Sequence, residues 1–133
     1  MGLYATLLDT QVPCPRCQTL CRCDWQFHFG ELGDLPQYRL GDRIAWGLGQ
    51  PSPTVFGHPA MAVFHAVAYA NPPGEQPVCA ACGLPDAIAL LHIEGGVLRA
   101  LNHARDLAHV PELGYDAHLR PLFLHDLRNR PNA

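Results

Sequence analysis

The stretch CPRCQTLCRCDWQFHFG, residues 14–30, holds four of the chain's six cysteines and its clearest periodicity. Cys21, Cys23, Trp25, Phe27 and Phe29 alternate with Arg22, Asp24, Gln26 and His28. Period two gives an extended chain one apolar and one polar face, so the stretch predicts a half-buried strand. A helix would scatter the same residues around its circumference. The chain leaving the first cysteine pair is therefore β, which sets the fold class.

The first pair, Cys14-Pro15-Arg16-Cys17, has a distant counterpart in Cys79-Ala80-Ala81-Cys82. Two-residue spacing lets both sulfurs of a tight turn point at one ion, and two such turns complete a tetrahedral S4 set, which zinc prefers. The candidate ligands are Cys14, Cys17, Cys79 and Cys82, around one structural Zn2+; iron in the same S4 set is the alternative ion. The 61 residues between the pairs exceed the usual gap, so the intervening strands must return the second turn to the first. A redox reading of CPRC needs the first cysteine at a helix N-terminus, and the strand that follows provides none. Cys21 and Cys23 fall on the apolar face and are expected to pack as small buried side chains; the sharper alternative is that one replaces a knuckle ligand or joins a second site. Four thiolates on Zn2+ leave a charge of −2. Arg16 and Arg22 stand close enough in sequence to offset it from outside the ligand set; two solvated arginines is the other reading.

Outward from this stretch, Met1–Thr10 predicts a first strand through Leu3, Ala5 and Leu7. QYRLGDRIAWG predicts a strand with Tyr38, Leu40, Ile44 and Trp46 on one face and a bulge or bend at Gly41-Asp42. AVFHAVAYA (62–70) is apolar on both faces and reads as a central strand. AIALLHIE and VLRAL flank Gly95-Gly96, the pattern of a tight hairpin with a primed turn. After Asn102 alternation fades, four of eight histidines appear, and Pro121–Arg128 predicts a short helix with proline in its first turn. The expectation is one domain over 1–133: a mainly β, small antiparallel or barrel-like zinc-stabilised core over 1–101, and a His-rich, partly helical segment over 102–133 packed on it.

Composition narrows function. The chain is 133 residues, 48% hydrophobic and 16% charged, enough for a packed core. Net charge is −3; four thiolates and one Zn2+ shift it by −2, to −5. That disfavours nucleic acid, which binds clustered Lys/Arg. The N-terminus lacks a basic region followed by a long apolar run, and AMAVFHAVAYA is too short to span a bilayer. The expected location is a reducing cytoplasm without membrane attachment, where paired cysteines read as metal ligands before disulfides.

The double knuckle resembles the zinc-ribbon or rubredoxin-like class. MGLY, CPRC, DWQFHFG, YRLGDRIAWG and the late CAACG before a hairpin resemble, over about residues 1–101, a group of small bacterial and phage zinc-ribbon proteins. The resemblance implies a β-rich, metal-stabilised module without an assigned activity. Gln18 departs from it, standing where glycine commonly follows such a knuckle, and the tail after Asn102 has no counterpart in it.

No HExxH, GxSxG or phosphate-binding glycine loop is present. In His103-x2-Asp106-x2-His109, a continuous helix would point the two histidines about 120° apart. His118 and His125 could share a face but for Pro121. His103, His109, His118 and His125 are the candidates for a second metal site, and hence for a histidine-based metalloenzyme. His28 is expected to be solvated, and His65 and His92 to be core histidines. A filled S4 site has no open position for water, so catalysis is not expected there. The leading expectation is a non-catalytic interaction module binding another protein, such as an immunity or inhibitor protein acting on a cognate bacterial partner. A nucleic-acid-binding zinc ribbon, stacking bases on Trp25, Trp46 and the Phe strand, is the alternative.

Overall fold

The computed structural model describes residues 4–14, 16–30, 32–33, 35–45, 63–102 and 113–123. Among these residues the protein is mainly β and contains no helix. The strands are β1 Ala5–Pro13, β2 Leu20–Phe27, β3 Gln37–Tyr38, β4 Val63–Asn71, β5 Ile88–Glu94, β6 Val97–Asn102, β7 Leu113–Tyr115 and β8 Pro121–Phe123. They form one sheet in the order β3-β1-β2-β4-β5-β6, with β7 joining β4 and β8 joining β7. Pairing is antiparallel except β1–β3 and β4–β7.

The alternation in β2 holds as expected. Cys21, Cys23, Trp25 and Phe27 are buried, and Phe29 beyond them is 1% exposed. Phe27 packs on Phe29 and Tyr38 at ring separations of 4.6 and 6.1 Å, and Phe29 and Tyr115 both meet Phe64 edge-on. This aromatic chain ties β2, β3, β4 and β7 into one interior.

β1 runs further than its sequence suggests. Ala5 and Leu7 face inward, yet so do Thr10 and Val12, which have the opposite parity. A bulge between Leu7 and Thr10 resets the face. Asp9 takes φ 49° there, and Asp24 Oδ1 accepts its N–H at 2.9 Å. With the face restored, the strand continues to Pro13 and delivers the chain directly to Cys14. Leu3 lies outside the described residues.

The strand expected through QYRLGDRIAWG stops after two residues. Gly41, at φ 97°, turns the chain, and Asp42 accepts the Arg39 N–H on Oδ2 at 2.8 Å. Tyr38 and Ile44 are buried, whereas Leu40 is exposed; Trp46 lies outside the described residues. The turn sends Gly41–Ile44 across to the far end of the sheet. Gly41 and Ile44 donate to Leu98 O and Gly96 O, both at 2.7 Å, and Leu98 donates to Asp42 O at 2.9 Å. The sheet therefore curls until the segment leaving its first edge bonds to β6 at its last.

β4 is central, as its apolar character predicts, with β5 on one edge and β2 and β7 sharing the other. Gly95 and Gly96 both have positive φ, 57° and 79°, as a primed hairpin turn requires. The helix expected from Pro121 does not begin there. Pro121–Phe123 is strand β8, paired with β7 just before it in the chain, so hairpin pairing overrides the helix signal; residues 124–128 lie outside the described residues. No described helix is long and apolar enough to cross a membrane.

Gly30 ends the aromatic strand at φ 82°, and a Cβ there would lie 2.8 Å from Ile44 Cγ2 and 3.1 Å from Ala45 O. Gly30→Ala combines left-handed strain with overpacking and should destabilise by about 2–4 kcal/mol in denaturant unfolding. A cost below about 0.5 kcal/mol would contradict this packing.

Candidate metal centre

β1 ends at Pro13, just before Cys14, and β2 begins at Leu20, so the first CxxC turn is the hairpin between them. The second turn lies between the end of β4 and the start of β5. Because β2 pairs β4, both turns emerge at the same end of the sheet. The two turns repeat one backbone pattern. Cys14 and Cys79 donate N–H to the carbonyl five residues on, Thr19 at 2.8 Å and Leu84 at 3.3 Å. Their own carbonyls accept from the residue four on, Gln18 at 3.0 Å and Gly83 at 2.8 Å. Both of those residues sit in the left-handed region, Gln18 at φ 67° and Gly83 at φ 76°.

This geometry gathers Sγ of Cys14, Cys17, Cys79 and Cys82 within 4.8 Å of one another. Cys14 meets Cys82, and Cys17 meets Cys79, each at 3.6 Å across the two turns. The edge of a tetrahedron with metal–sulfur bonds of about 2.3 Å is about 3.8 Å, so the donor set matches a tetrahedral ion in number, chemistry and spacing. Cys14 and Cys79 are buried, Cys82 is half-buried and Cys17 is exposed. All six cysteines are free. The four sulfurs can hold a metal ion.

The backbone prepares the sulfurs for charge. Arg16 N–H points at Cys14 Sγ from 3.4 Å. The Cys79 thiol is lowered to about 6, first by the backbone N–H of Cys82. The Cys17 thiol is lowered first by the Thr19 side chain, whose Oγ1 is 3.3 Å away. Burial acts the other way on Cys82, pushing it up to about 11. N–H groups aimed at sulfur favour the thiolate, the form that binds metal.

Of the two arginines considered from sequence, Arg16 reaches across the site, its Nη1 donating to Cys82 O at 3.4 Å. Arg22 instead meets Asp9 Oδ2 at 3.5 Å on the exposed face of the sheet. Cys21 and Cys23 are buried, and burial raises their thiols to about 12 and about 11. Of the histidine candidates, only His118 lies within the described residues, stacked on His28 at 4.6 Å; His103, His109 and His125 lie outside them. Sequence reasoning missed the cross-strand pair His65–His92, at 4.6 Å, because register between distant strands carries no local signal.

No protein-family model matches the chain, and no curated protein or solved structure is similar to it. The fold and site together define a β-sheet protein with a four-cysteine cluster.

Two outcomes check this geometry. Gln18→Gly removes left-handed strain and should stabilise the metal-loaded protein by about 1 kcal/mol, a rise of a few degrees in Tm, while Gly83→Ala should cost about as much. Cys21→Ala and Cys23→Ala should each retain the full metal content by elemental analysis, whereas Cys14→Ser or Cys79→Ser should lose most of it.

Proposed function

We infer that this chain is a zinc-stapled, non-catalytic module that works by binding another protein. The observation that carries the reading is the closed S4 set formed by two turns far apart in sequence. Four protein sulfurs satisfy a tetrahedral ion and leave no position for water, the arrangement of a structural site. Zinc is the ion assigned, since thiolate S4 is its common structural set, with iron as the alternative outcome of metal analysis. Such an ion contributes on the order of 10 kcal/mol toward folding, comparable with the whole stability of an ordinary domain.

A docking place lies beside the cluster. The β2–β4 ladder covers only Asp24–Gln26 against Tyr69–Asn71. Among the described residues nothing continues it along Leu20–Cys23, because Pro72 and Pro73 turn the chain away. A groove of about 380 Å3 opens there, between Leu20–Cys23 and Pro77–Ala81. Leu20, 61% exposed, stands on its rim. An open strand edge with an exposed aliphatic side chain suits an extended segment of a partner protein. The acidic chain favours a partner with a basic docking face, as an immunity or inhibitor protein would have. Base stacking is disfavoured, since Trp25, Phe27 and Phe29 are buried.

The test is metal analysis joined to partner capture. One zinc per chain, loss of cooperative unfolding on chelation, and capture of one defined protein that Leu20→Asp abolishes without altering metal content would support the reading. A metal-free yet cooperatively folded protein would overturn the stapling. Salt-sensitive capture of nucleic acid, with no protein partner, would overturn the interaction reading.

A further inference from the structure

A pair of histidines lies on the middle strands. His65 of β4 and His92 of β5 are direct cross-strand partners. Ala70 N–H donates to Ala87 O, so by alternation Phe64, Ala66 and Ala68 bond to β5 and His65 does not. His65–His92 is thus a non-hydrogen-bonded pair, the register in which opposing side chains approach closest. Their ring centres are 4.6 Å apart, at 42°.

Glu94, two residues along β5, places Oε1 2.8 Å from His92 Nε2. Arg99 Nε lies 3.9 Å from its other oxygen. A carboxylate at Nε2 fixes the proton there and leaves Nδ1 with a free lone pair. That Nδ1 is buried and has no hydrogen-bond partner, and an ion is one physical reason for such an atom. Burial and the neighbouring His92 lower the His65 pKa, keeping its imidazole neutral near pH 7. Both rings are half-buried, not sealed.

We propose that His65 and His92 together bind one divalent transition-metal ion of the zinc, nickel or copper class, with Nδ1 as the His92 donor and Glu94 as the positioning residue. Imidazole suits these ions. A carboxylate hydrogen-bonded behind a ligating histidine orients the ring and raises its basicity, and its loss typically costs about 10–100-fold in affinity. Water completes the coordination from the open side. The site is separate in residues and chemistry from the sulfur cluster, so it stands whether or not the chain binds a partner protein.

The 133-residue chain, first loaded with one zinc per chain, is titrated with Ni2+ near neutral pH by calorimetry. The expected result is one Ni2+ per chain, weakened about ten-fold or more in His65→Ala and His92→Ala, and about ten-fold in Glu94→Gln. Retained zinc in each variant reports that its fold is intact. Absence of Ni2+ binding to the parent protein overturns the proposal, as does undiminished binding in both histidine variants. Should a variant lose its zinc, ring resonances of the parent protein decide instead. Paramagnetic broadening centred on His65 and His92 supports the site, and broadening confined to other histidines sinks it.

Discussion

The meeting of four sulfurs is the constraint on which the rest of the structure depends. It joins the β1–β2 hairpin to the segment between β4 and β5, across 61 intervening residues. In the unfolded chain, holding a loop of that length closed costs about 4 kcal/mol in conformational entropy. The protein reduces this cost by topology, since β2 and β4 are already neighbours and carry both turns to one end of the sheet. Sheet and cluster therefore support each other: the ladder presents the turns, and an ion would hold the ladder's end together. The curl has the same logic at the opposite limit of the sheet, where Gly41–Ile44 reaches across to β6.

What the sequence disclosed was local in origin. Alternation through Cys21–Phe29 survives in β2 because both the pattern and the strand have period two. The Gly95-Gly96 turn is legible because only a primed turn needs two positive φ values in succession. The cysteine set is legible because a tight turn with two-residue spacing has few other uses. Non-local pairing is where local signals fail. The bulge at Leu8-Asp9 shifts parity to suit β2, and nothing in β1 itself announces it. A short hairpin can override a local signal as well: Pro121 reads as a helix start, yet the adjacent β7 offers it a ladder. Gln18 was visible as an exception to a glycine habit, but only the structure shows it accepting the same left-handed conformation as Gly83. Arg16 and Arg22 were indistinguishable from spacing alone. The strand direction after Thr19 separates them, keeping one at the sulfurs and carrying the other to Asp9.

The same strand also separates the two cysteine classes. Cys17 belongs to a turn, where the Thr19 side chain first and the Thr19 backbone second bond to the sulfur and favour thiolate. Cys21 and Cys23 belong to a strand, whose N–H groups are committed to the ladder, and their sulfurs point into apolar surroundings that raise their pKa. Four residues along one chain thus reverse the chemistry of the same side chain. Burial also raises Cys82 within its turn, so the distinction rests on which sulfurs gain hydrogen-bond donors and which are desolvated, and a count of cysteines could not make it.

A closed S4 cluster has consequences for where function resides. With four protein donors, an ion there would have no vacancy for substrate or water, so the proposed function falls to the surfaces beside the cluster. The groove beside β2 is such a surface, and Cys21, Cys23 and Cys79 are among its lining residues. Its far wall, Pro77–Ala81, runs into the second knuckle, and its near wall leaves the first. Release of the ion would free both walls together, whereas a distant loop would keep its shape. On the proposed reading, a partner gripping this edge would sense the metal state of the module, and binding and metallation would be linked: whatever stabilised one would stabilise the other by the same free energy.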